Sequence, residues 1–135
     1  MSLTNIRSAL EGAIDGMLPA LQSVHQGEGY APVIGTPYQA IYLLKATPEN
    51  PTLGDGYYVE QGVLQITLNY PAGEGTAAST SRAEAIRDLL RRGATFSYGG
   101  TVVQIDRTPA VTDGEPDEGF IAVIVRAPWH ADIYT

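Results

Sequence analysis

Cysteine is absent from the 135 residues, tryptophan occurs once and histidine twice. Without thiols there is no disulfide staple and no thiolate metal site, which fits a chain that folds in a reducing compartment. No stretch approaches the roughly 18 consecutive apolar residues of a membrane helix, and the N-terminus has no long apolar run. A soluble, unexported protein is the expectation. Basic charge is also scarce: one lysine and seven arginines face fifteen acids, for a net charge of −7. Sequence-independent DNA binding depends on clustered Lys and Arg, so this balance argues against it. Four of the eight basic residues, Arg82, Arg87, Arg91 and Arg92, fall on one predicted helix. An acidic body with a locally basic helix suggests a protein–protein surface.

What is present describes one ordinary globular domain, with 44% apolar residues and enough length for a real core. Thr4 to Leu18 reads as a helix, with Ile6, Leu10, Ala13, Ile14 and Met17 on one face and Pro19 near its end. Leu21 and Val24 extend that face. Gln26 to Pro37, rich in Gly and Pro, reads as an ordered loop. Tyr38 to Ala46 is apolar on both faces, the mark of an interior strand covered on both sides. Thr47 to Gly56 is a turn-rich connection.

The long strand from Tyr57 to Tyr70 alternates with a two-residue period. Tyr57, Val59 and Val63 occupy odd positions, whereas Leu64, Ile66 and Leu68 occupy even ones. That change of phase predicts a bulge near Gln61-Gly62, or a break into two short strands. A second helix is predicted over Thr80 to Arg92, with Ser81 and Glu84 as a capping box and Asp88 within reach of Arg92. Ala85, Ile86, Leu89 and Leu90 form its buried face, and Gly93 supplies a left-handed C-cap. Gly99-Gly100 signals a hairpin between Ala94–Tyr98 and Thr101–Arg107. Thr108 to Gly119 reads as an acidic loop, Phe120 to Ala127 as a second interior strand, and the tail as an edge pairing or a fraying end. The expected fold is α+β: a mostly antiparallel, mixed sheet of about five strands flanked by two helices, in the order α-β-β-α-β-β-β.

No array of residues announces chemistry. No serine lies in G-x-S-x-G or a similar nucleophile motif, and His25 and His130 read as surface residues. The acidic run from Asp113 to Gly119 places carboxylates like a calcium loop, but the required glycine and bidentate glutamate positions hold Glu118 and Ile124. The runs GEGY, GDGYY and AGEGT lack the G-K-[ST] end of a phosphate loop, and each carries an acid that repels phosphate. Neither a catalytic residue, a cofactor nor a metal is expected. The arginines of the second helix are a partner-binding stripe or a solvated face; Trp129 is core closure or an interface anchor.

Three segments carry a family resemblance: Gly35-Thr36-Pro37-Tyr38, the Glu60 to Ile66 run (EQGVLQI), and Tyr70 to Gly75 (YPAGEG). Together with the order of elements from about Ile6 to Ala127, they are similar to tail-terminator-like minor tail proteins of phages and prophages with long, non-contractile tails. Phe120 departs from that pattern, which has a bulkier Trp. The resemblance implies a non-enzymatic virion protein, assembled in the host cytoplasm, that forms a ring, typically hexameric, on the last ring of the tail tube. Such a ring stops polymerisation and presents a surface to the head-completion connector, while DNA passes through without specific binding. The implied partners are thus other copies of the chain, the tube protein and the connector. Alternatives are another neck or tail component, such as a head-completion or tube-like protein, and a small-ligand-binding α+β domain. Loops on ordered scaffolds usually carry contacts, so the candidate surfaces are Gln26–Pro37, Thr47–Gly56 and Pro71–Ser79. The candidate partner-binding residues are Gly35, Thr36, Tyr38, Asp55, Pro71, Glu74, Arg82, Arg87, Arg91 and Trp129.

Overall fold

The computed structural model describes residues 2–17, 21–33, 35–54, 56–73, 75–117 and 119–134. Helix α1 (Ser2–Asp15) is followed by strands β1 (Gln22–His25), β2 (Tyr38–Lys45) and β3 (Tyr57–Pro71), then helix α2 (Ala77–Leu89). Strands β4 (Thr95–Tyr98), β5 (Thr101–Ile105), β6 (Ala110–Val111), β7 (Glu115–Asp117) and β8 (Phe120–Tyr134) complete the chain. All eight strands join one sheet ordered β1-β2-β3-β8-β5-β4, with β6 and β7 also paired to β8. The class is α+β as expected, and the sheet is mixed because β1 runs parallel to β2.

The centre of the sheet is the antiparallel ladder of β3 and β8, in register from Tyr57↔Tyr134 to Pro71↔Phe120. One face of this ladder holds Leu64, Ile66 and Leu68 of β3 beside Val123, Val125, Ala127 and Trp129 of β8, all buried. Ile41 and Leu43 of β2 and Val103 and Ile105 of β5 widen that face. Ile6, Leu10 and Ile14 from α1 and Ala83, Ile86 and Leu90 from α2 close the same apolar cluster. Both helices therefore cover one side of the sheet. Their periodicity explains the burial, since residues three and four apart share a helix face.

Several sequence expectations are corrected. The predicted bulge at Gln61-Gly62 is absent: the register runs without interruption on both sides of β3, with Gly62 opposite Lys45 and Trp129. The inward phase stays even throughout, and it is Tyr58, Glu60 and Gly62 that interrupt its apolar run. A Cβ at Gly62 would overlap the Leu44 carbonyl oxygen and lie 3.0 Å from Trp129 Cζ2. The glycine is there because the Leu44 carbonyl first, and then the Trp129 indole, occupy its side-chain space. Trp129, 1% exposed, is thereby core closure.

Val24 belongs to β1 instead of the first helix, because the edge of β2 supplies backbone partners that local pattern does not reveal. β2 is covered on one side only, with Tyr42 and Leu44 exposed on the other. The tail after Ala127 neither frays nor lies at an edge; it continues β8 between β3 and β5. The acidic stretch after Thr108 contributes β6 and β7, which pair with β8 beyond the reach of β5. Helix α2 begins at Ala77 with Thr76 as N-cap and no side-chain capping bond, so the Ser81–Glu84 box is not formed. Gly93 has positive φ, but it lies past the C-cap, Leu90, and its N–H donates to Ile105 O at 2.8 Å. The Gly99-Gly100 hairpin is formed as expected, with φ of 57° and 85°, both in the region that a tight two-residue turn demands.

Gly62→Ala is expected to destabilise the protein by at least about 1–3 kcal/mol, because backbone oxygen and indole must both give way. Gly12→Ala, in helix α1 where an added Cβ meets nothing within 4 Å, should instead stabilise by about 0.5–1 kcal/mol. Urea denaturation of the two variants beside the wild type measures both.

Candidate partner-binding surface

Sheet register decides which loops meet. Tyr38 pairs with Asn69 and Pro71 with Phe120, so the start of β2, the end of β3 and the start of β8 share one end of the sheet. Ala72 N–H donates to Gly119 O at 3.0 Å, tying the turn after β3 to the turn before β8. Of the candidate residues, Gly35, Thr36, Tyr38 and Pro71 gather at this end. Asp55 and Glu74 lie outside the described residues. The Thr47–Gly56 connection lies at the opposite end, anchored by paired Glu49–Val59 backbone bonds of 2.9 and 2.8 Å and by Gln61 Nε2 donating to Thr47 O at 2.9 Å. Its Leu53 is fully exposed.

An aromatic row marks the first end. Tyr30 and Tyr38 ring centroids are 5.0 Å apart, and Tyr38 meets Phe120 edge-on at 5.4 Å. Tyr38 and Phe120 project from the sheet face away from the helices, beside a shallow groove of about 260 Å³ that includes Val24, Pro32, Tyr42 and Asn69. Aromatics presented on a rigid frame give large contact area at little entropic cost. The sequence reading placed Tyr30 only within the candidate Gln26–Pro37 loop and had no place for Phe120, which is buried behind this surface. Their meeting depends on the β2–β3–β8 register, which local pattern does not specify.

A polar clasp fixes the Gln26–Pro37 loop where it leaves β1. His25 Nε2 lies 3.0 Å from Asp15 Oδ2, and His25 Nδ1 lies 3.2 Å from Glu28 Oε1. The same Glu28 oxygen accepts the His25 backbone N–H at 2.8 Å. Gln26 Oε1 accepts from Arg7 Nη1 at 3.0 Å and from Leu43 N–H at 2.8 Å, while Arg7 Nη1 also pairs with Glu11 at 2.9 Å. Burial works to lower the His25 pKa, but Asp15, Glu11 and Glu28 together outweigh it and hold the value above that of free histidine. Glu28 is held below the usual carboxylate range, chiefly by the His25 N–H.

The three arginines named as partner residues have different surroundings. Arg82 is 5% exposed, and its Nη2 donates to Gln39 Oε1 at 3.3 Å; Gln39 Nε2 in turn donates to Ser23 Oγ at 2.9 Å. This chain of polar groups joins α2 to β2 and β1 beneath the surface. Burial pulls the Arg82 pKa down from its very high value and Tyr70 pushes it back up, so the guanidinium stays charged. Arg87 is half-buried, with Nε donating to Pro109 O at 3.1 Å. Arg91 is exposed, and its Nη1 donates to the Asp88 carbonyl at 3.4 Å. Among the described residues no ion pair joins Asp88 to Arg92.

A cleft of about 360 Å³ separates α2 from the strand pair β6–β7, lined by Ser79, Thr80, Glu84, Arg87, Thr112 and Asp113. It is at the small end of ligand pockets, and Arg87 is already engaged by Pro109. Among the described residues no group of three or more His, Asp or Glu side chains is placed to hold a metal, and no helix is long and apolar enough to cross a membrane.

A continuous ladder that holds loops and aromatics at its end defines a domain built to present a surface. The chain belongs to the phage tail terminator family, whose description, "Phage tail terminator protein", matches residues 5–129. Membership makes it a structural component of phage tails, associated with other tail proteins. The fold recurs in a solved structure that is 21% identical and aligns with a TM-score of 0.80, over 100% of this chain and 99% of that one. No curated protein matches the chain.

Two measurements test the site as drawn. Arg82→Ala is expected to cost about 1.5–3 kcal/mol, the range for a hydrogen bond to a charged group, whereas Arg91→Ala should stay within about 0.5 kcal/mol. The raised His25 pKa means that its protonation stabilises the fold. That contribution is complete below the free-histidine value of 6.5 and is lost as pH rises through the folded value. His25→Gln should therefore lose stability relative to wild type at about pH 5.5 and much less at about pH 8.5, as read by denaturant melts at each pH.

Proposed function

We propose that this protein terminates the tail tube: copies of the chain close into a ring, hexameric as the family resemblance implies, on the last ring of the tube, and stop its growth. The observation that carries this reading is the family match across residues 5–129. The domain itself suits the task. Its opposite ends bear different loops: Gln26–Pro37 with Pro71–Thr76 at one, Thr47–Gly56 at the other. A cap must bind the tube with one surface and offer the head-completion connector another. A subunit with two unlike ends meets that need without moving parts.

In this reading Gly35, Thr36, Tyr38 and Pro71, with Asp55 and Glu74, belong to the contact surfaces, and Arg87 and Arg91 face acids of the neighbouring subunit. Arg82 and Trp129 support those surfaces from inside and do not themselves touch a partner. The surplus of acids suits a ring threaded by DNA, because a lumen that repels phosphate lets the genome slide. Assembly takes place in the host cytoplasm, and the finished ring is part of the virion.

Mixing the purified protein with polymerising tube protein tests the proposal. Added chain should bind tube ends and shorten the tubes formed, and light scattering of the end-bound species should give a closed oligomer. A protein that stays monomeric at all concentrations, leaves tube length unchanged and ignores tube ends is not a terminator. Binding along the tube wall, or to a connector alone, would favour the tube-like or head-completion role. Tyr38→Ala should weaken end binding while leaving the melting temperature nearly unchanged relative to Gly62→Ala.

A further inference from the structure

The net charge of −7 conceals a segregation of charge along α2. Past the C-terminal end of the helix lie Arg91 and Arg92, and Arg107 joins them from the segment after β5. Arg92 and Arg107 line an open basin of about 370 Å³ with Asp106 and Thr108. The basin is built, not incidental. Arg87 Nε holds Pro109 O at 3.1 Å, and Asp106 N–H donates to Pro128 O at 2.9 Å. The Asp106 carboxylate, which also lines the basin, is engaged by His130 Nδ1. Among the described residues no ion pair reaches Arg91, Arg92 or Arg107. Three of the chain's eight basic residues thus lie at this pole, whereas Arg87 lines the cleft that it shares with Asp113.

The opposite pole is acidic. Asp113, exposed on the segment that joins β6 to β7, faces α2 across the cleft, and Glu115, also exposed, opens β7. That segment is rigidly seated: Thr112 N–H donates to Ile124 O at 2.9 Å and its Oγ1 accepts the Ile124 N–H at 3.0 Å. A Cβ at Gly114 would overlap Ile121 Cγ2, so the backbone lies flat on β8 with the acids on either side of it. Along β8 the acidic segment is tied at Ile124 and the basin at Pro128, four residues further on, which at about 3.3 Å per residue puts the two segments roughly 13 Å apart along the strand. Among the described residues no ion pair joins the acidic segment to the basin of its own subunit. Each pole also sits at the end of the helix dipole that suits it, so the separation does not burden the single chain.

We infer that the Arg92–Arg107 basin, with Arg91 next to it in the chain, receives the Asp113–Glu115 segment of a second copy of this chain. Two complementary surfaces at different places on one subunit make a heterologous contact, and repetition of such a contact closes into a ring when the rotation permits. Guanidinium groups meet carboxylates in two-point, charge-assisted bonds, and the seated acidic segment has little freedom to lose on docking. The inference rests on the ring reading above and names the surfaces by which the ring is joined.

Charge exchange between the poles tests it. One variant carries Arg92→Glu with Arg107→Glu, the other Asp113→Lys with Glu115→Lys. All four positions are exposed, and thermal melts of both should match the wild type. Assembly is followed by light scattering at low salt, alone and on tube ends. Each variant by itself should associate at least about tenfold more weakly than wild type, from like charges facing each other. An equimolar mixture of the two should assemble again, with equal numbers of each in the product. If wild type assembles and each variant alone assembles equally well, the inference is overturned and the ring reading stands. If wild type never associates under any of these conditions, the ring reading falls and takes the inference with it. If the arginine variant loses retention of duplex DNA by the wild type while assembling normally, the basin belongs to nucleic acid and the inference is again overturned.

Discussion

Everything in this molecule depends on the uninterrupted pairing of β3 with β8. Two strands of 15 residues exchange backbone bonds from Tyr57↔Tyr134 to Pro71↔Phe120, and every other strand joins one of them directly or through one neighbour. A slip of one residue would turn Leu64, Ile66 and Leu68 to the open face and expose the whole apolar set. Gly62 and Trp129 pin the register at its middle. The indole fits only where the facing residue has no side chain, so the two positions specify one alignment out of many.

That constraint explains how much of the fold could be read from residues in order. The two helices, the hairpin at Gly99-Gly100 and the strands β2 and β3 follow from short-range periodicity and turn chemistry, and all are present. The missing strands, β1, β6 and β7, are short and owe their existence to free edges of β2 and β8. No pattern within such short segments records an edge that a later strand supplies. The supposed bulge failed for a related reason. Val59 and Val63 looked inward because they are apolar, but the inner positions at 60 and 62 are held by a glutamate and by a glycine that accommodates a distant tryptophan.

The site shows the same division. Gly35-Thr36-Pro37-Tyr38 and the turn after Pro71 were identified as separate segments, and the structure sets them side by side because Tyr38 and Asn69 are paired. Tyr30 and Phe120 join them only through that pairing. Arg82 was grouped with Arg87 and Arg91 by its place on a charged helix. Burial depends on the face, and Ser79, Arg82, Ala83 and Ile86 share the inward one. Long polar residues at inward positions are legible only when their partner is known, here Gln39 on a strand more than forty residues earlier.

In the proposed role, a cap would have to solve a problem of timing that this distribution of charge would address. Subunits that closed into rings as soon as they were made would leave the tube to chance, whereas subunits with no mutual affinity would never finish a ring. Contacts between exposed arginines and carboxylates are weak one at a time and screened by salt over about 8–10 Å. On a tube end, however, each subunit would be held beside the next, and the effective concentration would raise a weak lateral contact to a closing one. The net negative charge adds a general repulsion between free copies in solution. Weak, directional attraction set against diffuse repulsion favours assembly where a template supplies proximity. The burden then falls on the frame to keep the two poles at a fixed separation, and the helix seated on the β3–β8 ladder does so.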